Sequence, residues 1–202
     1  MVTRDEVRKI VTLLMKRPIT EDIAIEVKSY EGYEHLEITD GEWVLNDVED
    51  EMTTGEEHGW IETLILNAIT NYVLKTRAGR VYPGDVTFVL DGEPGHLRVT
   101  REPDVSFVAK ENVTPTRKFV FRAPDLAIEI VSPSQDLDEM RARLHQYLDY
   151  GTRQAWLVIP EIRQIEVYAL DGFVAIYSVG QTVPGGDLLP GFTLDLAFVF
   201  EQ

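Results

Sequence analysis

Cysteine is absent from this chain of 202 residues, so disulfides and thiolate metal sites are excluded, and a reducing compartment fits the composition. Long apolar runs are missing too. None approaches the ~20 residues that a membrane-crossing helix needs, and the start, Met1-Val2-Thr3-Arg4-Asp5-Glu6, lacks the apolar stretch of a signal peptide. The expectation is a cytoplasmic protein with no membrane partner. Basic residues are few, 19 Lys and Arg against 35 Asp and Glu for a net charge of −16. Phosphate binding relies on Lys and Arg, so this balance argues against a protein that coats nucleic acid in general. The shortage is uneven: residues 1–62 hold 6 bases and 17 acids, residues 63–163 hold 13 of each, and residues 164–202 hold 5 acids and no base. Repeats and low-complexity segments are also absent.

What is present centres on Pro124-Asp125-Leu126-Ala127-Ile128-Glu129-Ile130-Val131-Ser132-Pro133-Ser134. It is an apolar run of strand length with a carboxylate, Glu129, where a structural core strand would carry Val or Leu. A similar segment upstream, Pro103-Asp104-Val105-Ser106-Phe107-Val108-Ala109, places Asp104 at the start of a strand. Two carboxylates on neighbouring strands could meet and hold a divalent metal.

Around these segments the patterning predicts an amphipathic helix over residues 4–17, ended before Pro18. An acidic hairpin follows over 33–45, turning at Asp40-Gly41. Thr54-Gly55-Glu56-Glu57 has capping-box spacing. The helix after it keeps Ile61, Leu64, Ile65, Ala68, Ile69, Tyr72 and Val73 on one face, and Gly79 is the expected stop. Strands are expected at 86–90, 97–101, 105–109 and 125–132. A helix over 136–150 begins with a second capping-box spacing at Asp136 and Glu139 and leads into an apolar strand at 155–159. Strand, helix and strand in so short a span form a parallel crossover. A hairpin over 164–179 turns at Asp171-Gly172, and the tail to Leu196 is apolar.

The chemistry points to a hard cation. Mg²⁺ takes a few carboxylate and carbonyl oxygens and keeps several waters, so Asp104, Glu129 and the Ile130 carbonyl would suffice. Buried carboxylates are also used structurally, each paired with an arginine. Arg143 is the arginine to consider, on one helical stripe with Met140 and Tyr147. Its partner is either Glu139, four residues earlier, or Glu129 across the sheet. His58 lies on the inward face of the long helix, as a hydrogen-bonded core residue or as an accessory ligand.

In order, these segments, with Trp156-Leu157-Val158-Ile159-Pro160 and Leu189-Pro190-Gly191-Phe192-Thr193-Leu194-Asp195-Leu196, resemble the bacterial family named "putative restriction endonuclease" within the PD-(D/E)XK nuclease superfamily. Tyr33-Glu34 with Ile38 to Trp43 matches the family's hairpin, and His58 its first core helix. The likeness spans roughly residues 30–200. It implies an α/β (α+β) mixed sheet with a restriction-endonuclease-like core and flanking β-hairpins. It further implies Asp104 and Glu129 as metal ligands and metal-dependent phosphodiester hydrolysis. Two places depart from the pattern. Val131 stands where the nuclease motif has lysine, and Arg143 stands on the helix where family members carry that lysine instead. Ile159-Pro160 replaces the usual Asp-Pro. Arginine cannot give up its proton near neutral pH, so a role as base is lost.

The resulting expectation is a single domain over 1–202. It comprises an N-terminal helix and acidic hairpin over 1–53, a nuclease-like core over 54–160 and a C-terminal β extension over 161–202. Its reaction would be attack of water on a DNA phosphodiester, with Mg²⁺ or Mn²⁺ held by Asp104, Glu129 and the Ile130 carbonyl. Arg143 would steady the phosphate, and His58 or Glu57 would be accessory. A homodimer is expected by analogy with enzymes that cut both strands. The rival expectation is a catalytically inactive nuclease fold that binds nucleic acid or a protein partner, with Arg143 locked onto a buried carboxylate.

Overall fold

The computed structural model describes residues 4–44, 55–115, 118–172 and 174–201. The elements begin with helices α1 (Arg4–Leu14) and α2 (Glu21–Lys28), strands β1 (Glu37–Thr39) and β2 (Glu42–Val44), and helix α3 (Glu56–Thr76). Strands β3 (Gly79–Pro83), β4 (Phe88–Glu93), β5 (His96–Arg101), β6 (Val105–Ala109) and β7 (Leu126–Ile130) follow, and then helix α4 (Leu137–Asp149). Strands β8 (Gln154–Ile159), β9 (Gln164–Ala169), β10 (Val174–Ser178), β11 (Thr182–Pro184) and β12 (Thr193–Asp195) lead to helix α5 (Leu196–Phe200). They fall into two compact units.

The first unit takes in Met1–Met52, Thr87–Glu102 and Thr116–Arg122. Val11 and Leu14 of α1 pack with Ile23 and Val27 of α2 and with Leu36. Helix α2, which the periodicity did not reveal, starts at Thr20, whose hydroxyl accepts the Ile23 N–H at 3.3 Å. The β1–β2 hairpin turns where expected, with Asp40 and Gly41 both at positive φ, 53° and 78°. Strands β4 and β5 pair with each other and group with this unit, although their sequence lies within 54–160. The unit also buries charge: Arg101 meets Glu37 at 3.4 Å, and Glu102 binds both Lys28 and the Thr87 hydroxyl.

The second unit holds Thr53–Val86, Pro103–Pro115 and Ala123–Gln202. Its six-stranded sheet runs β10-β9-β8-β7-β6-β3. β7 and β8 are parallel, as the crossover through α4 requires, and the other neighbours are antiparallel. Ile61, Ile65, Ile69 and Val73 of α3 pack on one face against Val105, Phe107, Ile128, Ile130 and Trp156. α4 lies against β7, β8 and β9, with Leu144 and Tyr147 fully buried. Asp136 caps α4, its side chain accepting the N–H groups of Asp138 at 2.8 Å and Glu139 at 3.1 Å. At α3 the expected cap residue, Thr54, lies outside the described residues.

Gly79 is not the helix stop expected from sequence. α3 ends at Arg77, which adopts the left-handed conformation at φ 56° and returns its N–H to Val73 at 2.7 Å. Gly79 instead opens β3, opposite Ala109 of β6. A Cβ there would sit 2.0 Å from the Val108 carbonyl oxygen, so only glycine lets the two backbones approach. Gly79→Ala is therefore expected to destabilise the protein by about 3 kcal/mol, the upper end of an overpacking cost. Urea denaturation measures it, and an unchanged midpoint would contradict this packing.

Candidate active site

The site is built at the ends of β6 and β7 and the first turns of α3. Val105 stands opposite Ile128, where the β6–β7 pairing ends, and Asp104 is the residue just before it. Asp104 Oδ2 accepts the Ile130 N–H at 2.7 Å. His58 Nε2 lies 3.0 Å from the Ile130 carbonyl oxygen and 3.4 Å from Asp104 Oδ2. A carbonyl only accepts, so Nε2 carries a proton and donates it. His58 Nδ1 is buried, and among the described residues it has no hydrogen-bond partner. Burial opposes charge on this imidazole, but the hydrogen bond and negative charge of Asp104, with help from Glu62, outweigh it and raise the His58 pKa.

Glu62 was missed in the sequence. Burial pushes its carboxyl up and the charge of Asp104 adds to the shift, while His58 and a backbone hydrogen bond at Gly84 hold it down. The available signal was its spacing from His58: four residues apart on α3, the two share one helix face. Glu57, the alternative accessory residue, is exposed on the first turn of α3.

Glu129 is buried in the sheet, 5% exposed. Its Oε1 accepts from Arg143 Nε at 2.8 Å and from the Tyr147 hydroxyl at 2.6 Å. Of the two partners open to Arg143 in the sequence, the structure shows a bond to Glu129. Burial pushes the Glu129 carboxyl up, to about 7, against the pull of Arg143 and with the added charge of Asp104. Val131, at the place of the motif lysine, is buried and gives its N–H to Val158 at 2.9 Å. Ile159, at the other departure, is buried as well.

These residues can be tested against the divalent cation that the resemblance implies. Among the described residues, no three His, Asp or Glu side chains converge as a metal cage. The bonds to Asp104 fall on Oδ2 and those to Glu129 on Oε1. Each carboxylate thus keeps a second oxygen that no described donor holds. The Ile130 carbonyl accepts from His58 and has a further lone pair. Two carboxylates and a carbonyl fit an ion that retains much of its water, such as Mg²⁺. They do not fit one that needs an all-protein cage.

A family model described as "Uma2: Putative restriction endonuclease" matches residues 22–197. The chain belongs to that family. A crystal structure described as "a putative nuclease belonging to DUF820", from Anabaena variabilis ATCC 29413, superposes with a TM-score of 0.73 at 20% identity. That match covers 91% of this chain and 98% of the other. At this identity the likeness carries the fold alone, and the fold is the restriction-endonuclease-like mixed sheet expected. No curated protein matches the chain.

Within this Uma2 fold a second arginine of α4 holds a second buried glutamate. Glu129 is level with Leu157 of β8, and Leu157 with Glu166 of β9, so both glutamates lie in one row across the sheet. Arg141 grips Glu166 with two bonds, Nε at 3.1 Å and a terminal nitrogen at 2.7 Å. The Tyr168 hydroxyl adds a third at 2.6 Å. Arg141 holds the Glu166 carboxyl below its ordinary pKa. The two Arg–Glu–Tyr clusters tie α4 to β7 and β9. In sequence Glu166 was hidden, because it alternates in its strand as an ordinary outward residue would.

Proposed function

We propose that this chain is a metal-dependent endonuclease that hydrolyses DNA phosphodiester bonds, with Mg²⁺ or Mn²⁺ held by Asp104, Glu129 and the Ile130 carbonyl. The observation that carries the reading is the pairing of Asp104 with Glu129. Asp104 holds the Ile130 N–H, next in sequence to Glu129, each carboxylate has one oxygen that no described donor holds, and the charge of Asp104 helps to raise the Glu129 pKa. A cation would relieve that repulsion. When bound, such an ion supplies an acidified water and stabilises the charge that develops on the phosphate. Asp104 and Glu129 position it. His58 fixes the Ile130 carbonyl and the Asp104 carboxylate rather than ligating. Arg143 neutralises Glu129 while the site is cation-free and steadies the phosphate of the substrate. The substrate reading places the protein in the cytoplasm, as a homodimer that cuts both strands.

The Arg143–Glu129 ion pair also favours the rival, an inactive nuclease fold that binds nucleic acid or a protein partner. Titration with Mg²⁺ separates the two. A carboxyl with a pKa of about 7 must give up its proton to ligate, so binding at pH 7 should release roughly half a proton per site. Calorimetry in buffers of different ionisation heat reads this number. Absence of a binding heat, or binding without proton release, would contradict the proposed ligand set.

A further inference from the structure

The sheet of the second unit has two edges, and they differ. At one edge β3 carries Arg80, exposed, and Pro83. Charge and proline are the usual devices that keep an edge from pairing with another strand. At the other edge β10, Val174-Ala175-Ile176-Tyr177-Ser178, has neither. It pairs with β9 in regular register without a bulge, and among the described residues no strand lies on its outer side. Val174 and Ile176 are 48% and 57% exposed, and Leu170, at the turn into the strand, is 56% exposed. No charged residue occurs between Asp171 and Asp187, in a chain with 19 basic and 35 acidic residues.

We infer that β10 is a dimerisation edge, on which a second copy of this chain lays its own β10 antiparallel and continues the sheet. The strand commits to a second copy because its sequence suits its own reverse. A two-fold axis at the middle of 174–178 sets Ile176 against Ile176 and Val174 against Ser178, with no like charges meeting. The chain carries −16 in all, and residues 164–202 hold 5 acids and no base, so within this acidic segment the charge-free run around β10 is where two copies can approach without like charges meeting. An interface of this kind is isologous, the commonest symmetry of soluble oligomers. The inference rests on the homodimer of the proposed function and gives it a surface. It is tested without substrate, so that it stands or falls apart from cleavage.

The full chain is run by size exclusion with light scattering, as wild type and as Ile176→Lys. The expected result is a wild-type dimer that strengthens as NaCl is raised from low to high, since salt screens the net repulsion. The lysine variant should be a monomer with the wild-type circular dichroism spectrum, and its thermal midpoint should not depend on protein concentration as that of the wild-type dimer does. Because the chain contains no cysteine, I176C is a single-site reporter. Opposed residues of an antiparallel pair have Cα atoms about 4.5–5.5 Å apart, within reach of a disulfide, so mild oxidation should link two chains. L13C, on the exposed side of α1, is the control that should not. A monomeric wild type, a lysine variant that remains dimeric, or an I176C variant that fails to cross-link would each overturn the inference.

Discussion

Replacing Arg143 with alanine should lower stability by about 3 kcal/mol at pH 8, because it leaves a buried carboxylate without its cation. The lower end of the usual range applies, since the Arg143 side chain is 20% exposed. For a chain of this size the thermal midpoint should fall on the order of 10 °C. The loss should depend on pH in a definite direction. Glu129 has its folded-state pKa raised from 4.5 to about 7, so the stability it contributes is complete below 4.5 and is lost as pH rises through 7. Arg143 is one of the groups that hold that pKa down, so removing it raises the pKa further. The variant should be nearer to wild type at pH 5.5, where Glu129 accepts a proton, than at pH 8. Arg143→Lys should keep most of the stability and keep or raise cleavage, since lysine still sets a cation beside Glu129. Thermal scans of the three proteins at the two pH values check this. Equal losses at both would mean that Glu129 does not titrate in this range.

The second large effect concerns cleavage itself. Asp104→Asn and Glu129→Gln each remove the charge of one proposed ligand but keep its shape. Losing that share of transition-state stabilisation should reduce metal-dependent nicking by about 10²–10³-fold. The folded state should survive, because an amide oxygen can still accept the Ile130 N–H in the first case and the Tyr147 hydroxyl in the second. Nicking rates with circular dichroism on the same samples separate the two effects. Residual cleavage within a few-fold of wild type in both variants would move the chemistry elsewhere.

Much of this was legible in the residues. A carboxylate inside an apolar strand, and another directly after proline just ahead of the preceding strand, are the two residues on which the candidate site was read, and the structure shows Glu129 buried and Asp104 bonded to the Ile130 N–H. The β7–α4–β8 crossover followed from an apolar strand, a capped helix and a second apolar strand in close succession. What was hidden was decided by contacts distant in sequence. Gly79 has the look of a helix stop, and only the approach of β6 shows that it opens a strand. β4 and β5 read as part of the core by position, while their partners lie in the first unit. Arg143 had two candidate carboxylates in the sequence, and the structure shows its bond to the one across the sheet. Glu62 and Glu166 sit in ordinary amphipathic and alternating patterns, so nothing local distinguishes them from solvated acids.

The central claim is that Asp104 and Glu129 hold a divalent cation for phosphodiester hydrolysis. Its most direct test is incubation of supercoiled plasmid with the wild-type protein in Mg²⁺, in Mn²⁺ and in EDTA, with Glu129→Gln alongside. The prediction is conversion to nicked and linear forms with either metal, none in EDTA, and little with the variant. Plasmid left supercoiled in both metals by wild type and by Arg143→Lys would contradict the enzyme and leave a binding protein on a nuclease fold.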